Sequence, residues 1–443
     1  MYYCRRKDFV KNKGEIFKMR LVYKFRSPKN EHLDLLCSIS KKLYNHANWY
    51  IRQDFFHLEN WLQYQDLNFI LKGTDNYKLL KAQTSQQILK TLDQNWKSFF
   101  ASIKEWKINC QKFKGRPNPP KYKQEDYNFL ILTNQNSKIE NKSITLTMSK
   151  LFKEVFPDFK EPIELTIPRY KNKKFQNYQQ IRILPKKQFY EIEIIYEETV
   201  KEPQLNSSSY LSIDFGLNNL ITAVENRNSR PLIISGKIMK SINRQWNKRK
   251  ARLYSIKDKQ QLAWTTKLDK ITIKRNSIMK DYLHKTSQFI VTYCLYHGIG
   301  NICLGELKEI KHNIRLGRRN NQNFVNIPIH TLKHMITYKA ELVGIKIHVI
   351  NEAYTSKCSS LDLEPLQKHE KYIGKRIKRG LFQGSNYLLN ADVNGALNIL
   401  RKVVGDGFIR NLSDRGCWFQ PVRIRDLFQT SHEQFLIKSV SIV

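Results

Sequence analysis

Residues 208–220 read SSYLSIDFGLNNL. Tyr210, Leu211, Ile213 and Phe215 make a short apolar strand, with one carboxylate, Asp214, in its middle and a Gly-Leu-Asn-Asn turn directly after it. An unpaired buried carboxylate is very costly. Asp214 is therefore expected to be paired, to hold a metal ion or to sit at the edge of a cleft. The partner has to come from elsewhere in the chain.

The surrounding pattern predicts strands at 211–215, 220–224 and 231–235, then a long basic helical region at 237–297. A strand (300–304), a helix (328–343), a strand (345–350), an irregular loop (354–388) and a helix (392–402) follow. Three strands in meander and then alternating helices and strands is the element order of an RNase H-like fold. Earlier in the chain, residues 19–26 (MRLVYKFR) alternate as a strand, and helical periodicity runs from about 33 to 110. Its clearest stretch is TSQQILKTLDQNWKSFFASIKEW (84–106), where Ile88, Leu92, Trp96, Phe99, Ile103 and Trp106 recur on one face. That stripe reads as core, and Thr84 with Gln87 has capping-box spacing. KGRPNPPKYK (114–123), with four basic residues and three prolines, ends the block as an extended cationic linker. Strand-like runs return at 129–132, 144–148, 163–167, 181–184 and 189–196.

Composition narrows the partners. Lys and Arg number 77 against 39 Asp and Glu, a net charge of +38, while apolar residues stay in the globular range at 41%. A Lys-rich surface from an AT-rich genome accounts for part of this excess. The rest calls for a polyanionic partner. Nucleic acid suits better than a membrane. The most apolar window, FIVTYCLYHGIGNICLG (289–305), is interrupted well short of the ~20 apolar residues a bilayer requires. The start, MYYCRRKDFVKNKGEIFK, has no apolar h-region, so no secretory signal is expected. Seven scattered cysteines without a CxxC pair suit a reduced, cytoplasmic protein, nucleoid-associated if bacterial.

Two further carboxylates can meet Asp214 through the fold. Glu306 ends the strand NICLGE, and Asp392 opens the helix NADVNGALNIL. Each has a plainer explanation: Asp214 shaping its turn, Glu306 ending a strand, Asp392 capping a helix. In α/β sheets, however, strand ends and helix N-termini converge on one crevice. Three carboxylates there repel one another unless divalent cations lie among them, and oxygen-only ligation points to Mg²⁺ or Mn²⁺. A pair of such ions supports in-line displacement at a phosphodiester.

SIDFGLNNL, CLGELKEIKHNIRLGRRNNQNFVNIP, INEAYTSKCS and NADVNGALNIL closely resemble the TnpB family of transposon-encoded RNA-guided DNA endonucleases. That family is related to type V CRISPR effectors and has a RuvC-type nuclease core. The resemblance runs from about 19 to 400 and includes KRNSIMKDYLHKTSQFIV, QTSQQILKTLDQNWKSFF and GRPNPPKYK. It places the family's catalytic, metal-holding acids on Asp214, Glu306 and Asp392. It implies a multidomain α/β chain with a RuvC-like nuclease domain (203–354 and 389–405). A β-rich wedge domain (19–44 and 126–202) would carry an inserted helical recognition domain (45–125). A basic leader (1–18), an insert at the zinc-ribbon position (355–388) and a tail (406–443) complete the division. The implied partners are a guide RNA from the transposon end and double-stranded target DNA.

The chain departs from the family at the zinc ribbon. Only Cys358 remains, in YTSKCSSLDLEP, and the later pair is replaced by HEKYIGKRIKRGLFQGS. Cys358, Asp362 and His369 make an irregular set at best, so zinc is not expected. Lys375, Arg376, Lys378 and Arg379, in KYIGKRIKRG (371–380), are expected to meet a phosphate backbone. Between 237 and 285 stand 15 Lys or Arg against three Asp, with Trp246, Tyr254, Trp264 and Tyr282 interleaved. Lys248, Arg249, Lys250 and Arg252 there suit a nucleic-acid channel. GRRNNQNF (317–324) is a substrate-side loop or a turn. The leading reading is an RNA-guided, metal-dependent DNA endonuclease. A catalytically silent RNA-guided DNA-binding protein and a transposase joining DNA ends are the alternatives.

Overall fold

The computed structural model describes residues 18–428 apart from 141, 169–174, 176–177, 201–204, 307–326 and 412–415. The leader to residue 17, the stretch 317–324 and the tail beyond 428 lie outside the described residues. The chain divides into two units, Met1–Thr199 and Val200–Val443, each with its own core.

In the first unit the opening strand β1 (Lys18–Ser27) pairs antiparallel with the closing strand β7 (Tyr190–Thr199). With β6 (Tyr178–Pro185) and β2 (Leu130–Thr133) they form a four-stranded sheet in the order β1-β7-β6-β2. A smaller sheet holds β3 (Ser137–Glu140), β4 (Ser143–Leu146) and β5 (Ile163–Thr166). Between β1 and β2 run α1 (Glu31–His57), α2 (Tyr64–Leu71) and α3 (Ala82–Ile108). Ile88, Leu92 and Trp96 of α3 are fully buried, so the apolar stripe is core. The helix begins at Ala82 with Lys81 as N-cap, ahead of the expected Thr84. Thr84 and Ser85 are buried inside its first turn, where the Ser85 hydroxyl donates to the Tyr77 carbonyl (2.8 Å).

The second unit contains the expected meander of β8 (Asn206–Phe215), β9 (Asn219–Glu225) and β10 (Leu232–Ser235). β11 (Ile299–Glu306) runs parallel to β8, and β12 (Lys346–Asn351) runs parallel to β11. The sheet order is β12-β11-β8-β9-β10-β16, where β16 (Val422–Ile424) lies parallel to β10. That last strand and the fully buried Trp418 make part of the tail a piece of the core, which its sequence did not announce. The long basic helical region is two helices, α4 (Lys237–Lys259) and α5 (Thr266–Tyr296). Gln261 turns the chain at φ 52°, and Thr265 caps α5 by accepting from the Leu268 amide (3.3 Å).

Two layers of helix cover the sheet. Leu211, Ile213 and Phe215 share a core with Met279 and Leu283 of α5 and with Leu332 and Ile336 of α6 (Ile329–Leu342). Side chains alternate along a strand, so Ser212 and Asp214 face the other way. There they meet α7 (Ala391–Val404), where the Ser212 hydroxyl donates to the Ala396 carbonyl (2.8 Å). The loop expected to be irregular holds a small sheet of β13 (Lys375–Lys378), β14 (Leu381–Gln383) and β15 (Leu388–Asn390).

Candidate active site

The parallel register of β8, β11 and β12 brings their C-terminal ends out on one edge. Leu304 lies opposite Ile213, one residue before Asp214, and Glu306 lies opposite Asn351. Asp392 comes to this edge from α7, although not as its cap. Asn390 is the N-cap, accepting from the amides of Asp392 (3.0 Å) and Val393 (3.3 Å). The Asp392 carboxylate is left to accept from the Asn219 side-chain amide (2.7 Å) and to meet the Arg376 guanidinium (3.4 Å). One turn further on, Gly395 lets α7 settle over Asp214, where a Cβ would stand 3.1 Å from Oδ2. Asp214 is thus enclosed between the sheet and α7.

Burial pushes the Asp214 carboxyl well above its usual range, and the nearby Asp392 and Glu352 push the same way; Arg376 opposes them. Glu352, just past β12, is raised by burial against the pull of Lys333 and Lys402. Its Oε1 is buried without a hydrogen-bond partner. It lies against Gly305, where any side chain would collide with the carboxylate. Lys333 of α6 donates to the Gly305 carbonyl (2.6 Å), and its electrostatic neighbours include both Glu352 and Glu306. The fold therefore gathers Asp214 with Asp392 and Glu352. Glu306 ends β11 in alternation with Ile302 and Leu304, residues of the α5 and α6 face. Among the described residues, no three His, Cys, Asp or Glu side chains stand close enough to hold one ion.

Glu352 drew no attention as a sequence, although it stands in INEAYTS directly after a strand that runs parallel to β11. A carboxylate at the end of a second parallel strand was the available signal.

Cations surround the crevice. Lys240 of α4 donates to the Asn218 side chain, and its ammonium is destabilised first by burial and then by Arg379 and Lys237. Arg376 belongs to the basic hairpin, so a residue expected to meet phosphate also touches Asp392. Lys375, Lys378 and Arg379 of the same hairpin are exposed. On α4, Lys248, Arg249 and Arg252 are exposed as well. Lys250 differs: its ammonium lies over the rings of Trp246 (4.9 Å) and Tyr254 (5.1 Å). Trp246 is a packing residue, with the Arg275 guanidinium 5.3 Å from its ring centre. Two of the three weak zinc candidates meet at one carbonyl, and the third is bound elsewhere. Cys358 donates to the Pro365 carbonyl (3.3 Å), His369 meets the same carbonyl (2.8 Å), and Asp362 accepts from Ser359 (2.5 Å).

Two family models match this half of the chain: OrfB_IS605, described as "Probable transposase", over residues 193–311, and the Cas12f1-like TNB domain over residues 330–399. A TnpB-like protein, ORF457 of Acidianus two-tailed virus, is 26% identical over 416 residues, covering 84% of this chain and 83% of that protein. Over most of its length the chain is therefore similar to a TnpB-like protein. Its relation to type V effectors shows in a second relative, the CRISPR-associated endodeoxyribonuclease Cas12f1 of Sulfoacidibacillus thermotolerans. That protein is 33% identical over 122 residues, which is 26% of this chain and only 25% of the relative. Among solved structures, a Cas12f1–sgRNA–target DNA complex shares the fold of this chain. It has a TM-score of 0.57 at 17% identity, covering 84% of this chain and 83% of that one. No helix among the described residues is long and apolar enough to cross a membrane.

Proposed function

We propose that this chain is an RNA-guided, divalent-metal-dependent DNA endonuclease of a transposable element. It would hydrolyse phosphodiester bonds of double-stranded target DNA at the crevice of Asp214, Asp392 and Glu306, with Glu352 as a fourth carboxylate. The observation that carries this reading is the enclosure of Asp214 beside two other carboxylates. RNA guidance rests on the similarity to a TnpB-like protein and on the shared fold with an RNA- and DNA-bound relative.

The donor set fits a hard divalent cation. Every candidate ligand is a carboxylate oxygen, and the buried Glu352 Oε1 lacks a partner. Magnesium is commonly held by one or two carboxylates, with waters and substrate phosphates completing its shell. The approach of Asp214 and Asp392 therefore suffices without a closed cage, and Glu306 and Glu352 border it. When bound, such ions neutralise charge developing on the phosphate and lower the pKa of a water. The remaining roles belong to the chain itself. Asn219 orients Asp392, Arg376 brings a guanidinium to the phosphate, and Lys240 and Arg379 hold the strand alongside.

Asp214→Ala, Asp392→Ala and Glu306→Ala are each expected to abolish Mg²⁺-dependent DNA cleavage while leaving RNA and target binding intact. Cleavage and gel-shift assays on the same preparations check this. A variant that cuts at near wild-type rate removes its residue from the site.

A further inference from the structure

Residues 114–123, KGRPNPPKYK, are a fastened strap and not the free linker their composition suggests. Side chains of α1 hold its main chain at two residues with four hydrogen bonds. Asn45 donates to the Lys123 carbonyl (3.0 Å) and accepts from the Lys123 amide (2.8 Å). Asn48 and Arg52 both donate to the Pro120 carbonyl (3.1 Å each). Asn48 is itself fully buried and fixed by the Trp96 indole, which donates to it at 3.0 Å. Three prolines stiffen the strap further by setting φ.

The side chains are held out as a result. Lys114, Arg116 and Lys121 are exposed, Lys123 lies over the Tyr44 ring (5.1 Å), and none of the four enters an ion pair among the described residues. Tyr122 is 40% exposed, with the Arg52 guanidinium over its ring at 5.4 Å. Two grooves of about 440 Å³ each open along the strap. One is lined by Tyr44, Asn95, Ser98 and Phe99, the other by Tyr127 and Lys186. Exposed cations on a fastened backbone, a part-exposed aromatic ring and grooves lined by both apolar and polar groups make a surface for nucleotides.

We infer that the strap is a binding site for unpaired RNA nucleotides. Lys114, Arg116 and Lys121 take successive phosphates, and a base lies against Tyr122, the combination by which single strands are held without sequence choice. A paired base within a helix does not offer its face to the ring, so the strand must be single. The Asn95 amide donates to Tyr44 (3.3 Å) and the Ser98 hydroxyl to the Gln94 carbonyl (2.8 Å), so their oxygens are left to accept from a ribose 2′-hydroxyl, which favours RNA over DNA. The site belongs to the first unit and the carboxylates to the second, and its assignment rests on the RNA-binding reading given above.

The test is photocrosslinking of the full-length chain to a single-stranded oligouridylate carrying 4-thiouridine, with adducts mapped by peptide mass spectrometry. The expected adduct falls on the peptide that holds Tyr122. It should drop about fivefold or more in Tyr122→Ala and return in Tyr122→Phe, which keeps the ring. If Tyr122→Ala fails to fold, the exposed pair Arg116→Ala/Lys121→Ala takes its place and should lose the adduct. Adducts confined to other segments overturn the strap assignment and leave the RNA-guided reading standing. No RNA adduct anywhere overturns both. A 4-thiothymidine DNA strand that labels Tyr122 as strongly overturns the choice of RNA.

Discussion

Two neighbouring regions of the second unit enclose carboxylates and treat them in opposite ways. In the insert at 355–388, Glu364 is 2% exposed and accepts from the amides of Ser359 (2.6 Å) and Ile373 (2.9 Å). Asp362 accepts from the Ser359 hydroxyl (2.5 Å) and the Ser385 amide (3.1 Å). Burial works against its charge, yet hydrogen bonds from Ser359 and Ser385 hold its carboxyl below the usual range. Asn394 and Asn398 of α7 bind the Cys358 carbonyl (2.9 and 2.7 Å), and Arg401 binds that of Glu364 (3.0 Å). Here carboxylates act as clamps in the place where family members put zinc. In the crevice the carboxylates face one another and Asp214 is held above its usual range. A buried charge met by donors builds structure, whereas buried carboxylates kept together are the pattern on which the proposed cation site rests.

The largest contrast is expected from paired substitutions. Asp214→Asn should lower cleavage about a thousandfold or more while leaving the melting temperature unchanged or higher. The sign follows from its raised pKa. The folded chain binds a proton at Asp214 more readily than the unfolded chain, so the stability tied to this group is present at low pH. It is lost as pH rises through the folded pKa. The Asn variant should therefore lose less stability than wild type between acid and neutral pH, as thermal melts across pH will show. Glu364→Ala should do the reverse. It should cost roughly 2–4 kcal/mol of stability by leaving buried amides unpaired, and cleavage should fall only as far as folding does. Metal analysis should find zinc far below stoichiometric in both proteins. A stoichiometric zinc signal lost on Cys358→Ser would show that the clamps are not what holds the insert.

The contrast also explains how far the sequence could be read. Asp214 was legible because a lone carboxylate in an apolar strand conflicts with its surroundings. The meander and β11 followed from continuous apolar runs. Asp392 was ambiguous because Asn390 and Asp392 are both good caps, and only the backbone shows which one is used. Glu352 was missed because its meeting with Asp214 depends on the β11–β12 register and on Gly305 having no side chain. The hairpin at 375–383 escaped notice because β13 is exposed throughout and so lacks an apolar period. β16 is three residues long and exists only through its pairing with β10.

A middle-sized effect is expected at Glu352. If its unpartnered oxygen faces a bound cation, Glu352→Gln should weaken Mn²⁺ binding roughly tenfold, read by electron paramagnetic resonance on protein without DNA. The fold should survive, since no hydrogen bond of Oε1 is lost. Unchanged Mn²⁺ affinity would place Glu352 with the structural carboxylates.

The smallest effect concerns the exposed face of α4. Lys248→Ala/Arg249→Ala should flatten the dependence of log K on log salt by about one to two units, equally across target sequences. Lys250 is left out because its ammonium is engaged by Trp246 and Tyr254. An unchanged slope would make this face a solvated one.

The central claim is that guide RNA chooses the DNA and the carboxylate crevice cuts it. RNA that copurifies with the full-length chain is sequenced, and duplex DNA that matches it, or is scrambled over the matching stretch, is incubated with the complex in Mg²⁺. The account predicts cleavage of the matching duplex alone, lost with Asp214→Ala. Equal cutting of the scrambled duplex, or joining of DNA ends without cleavage of the match, would contradict it.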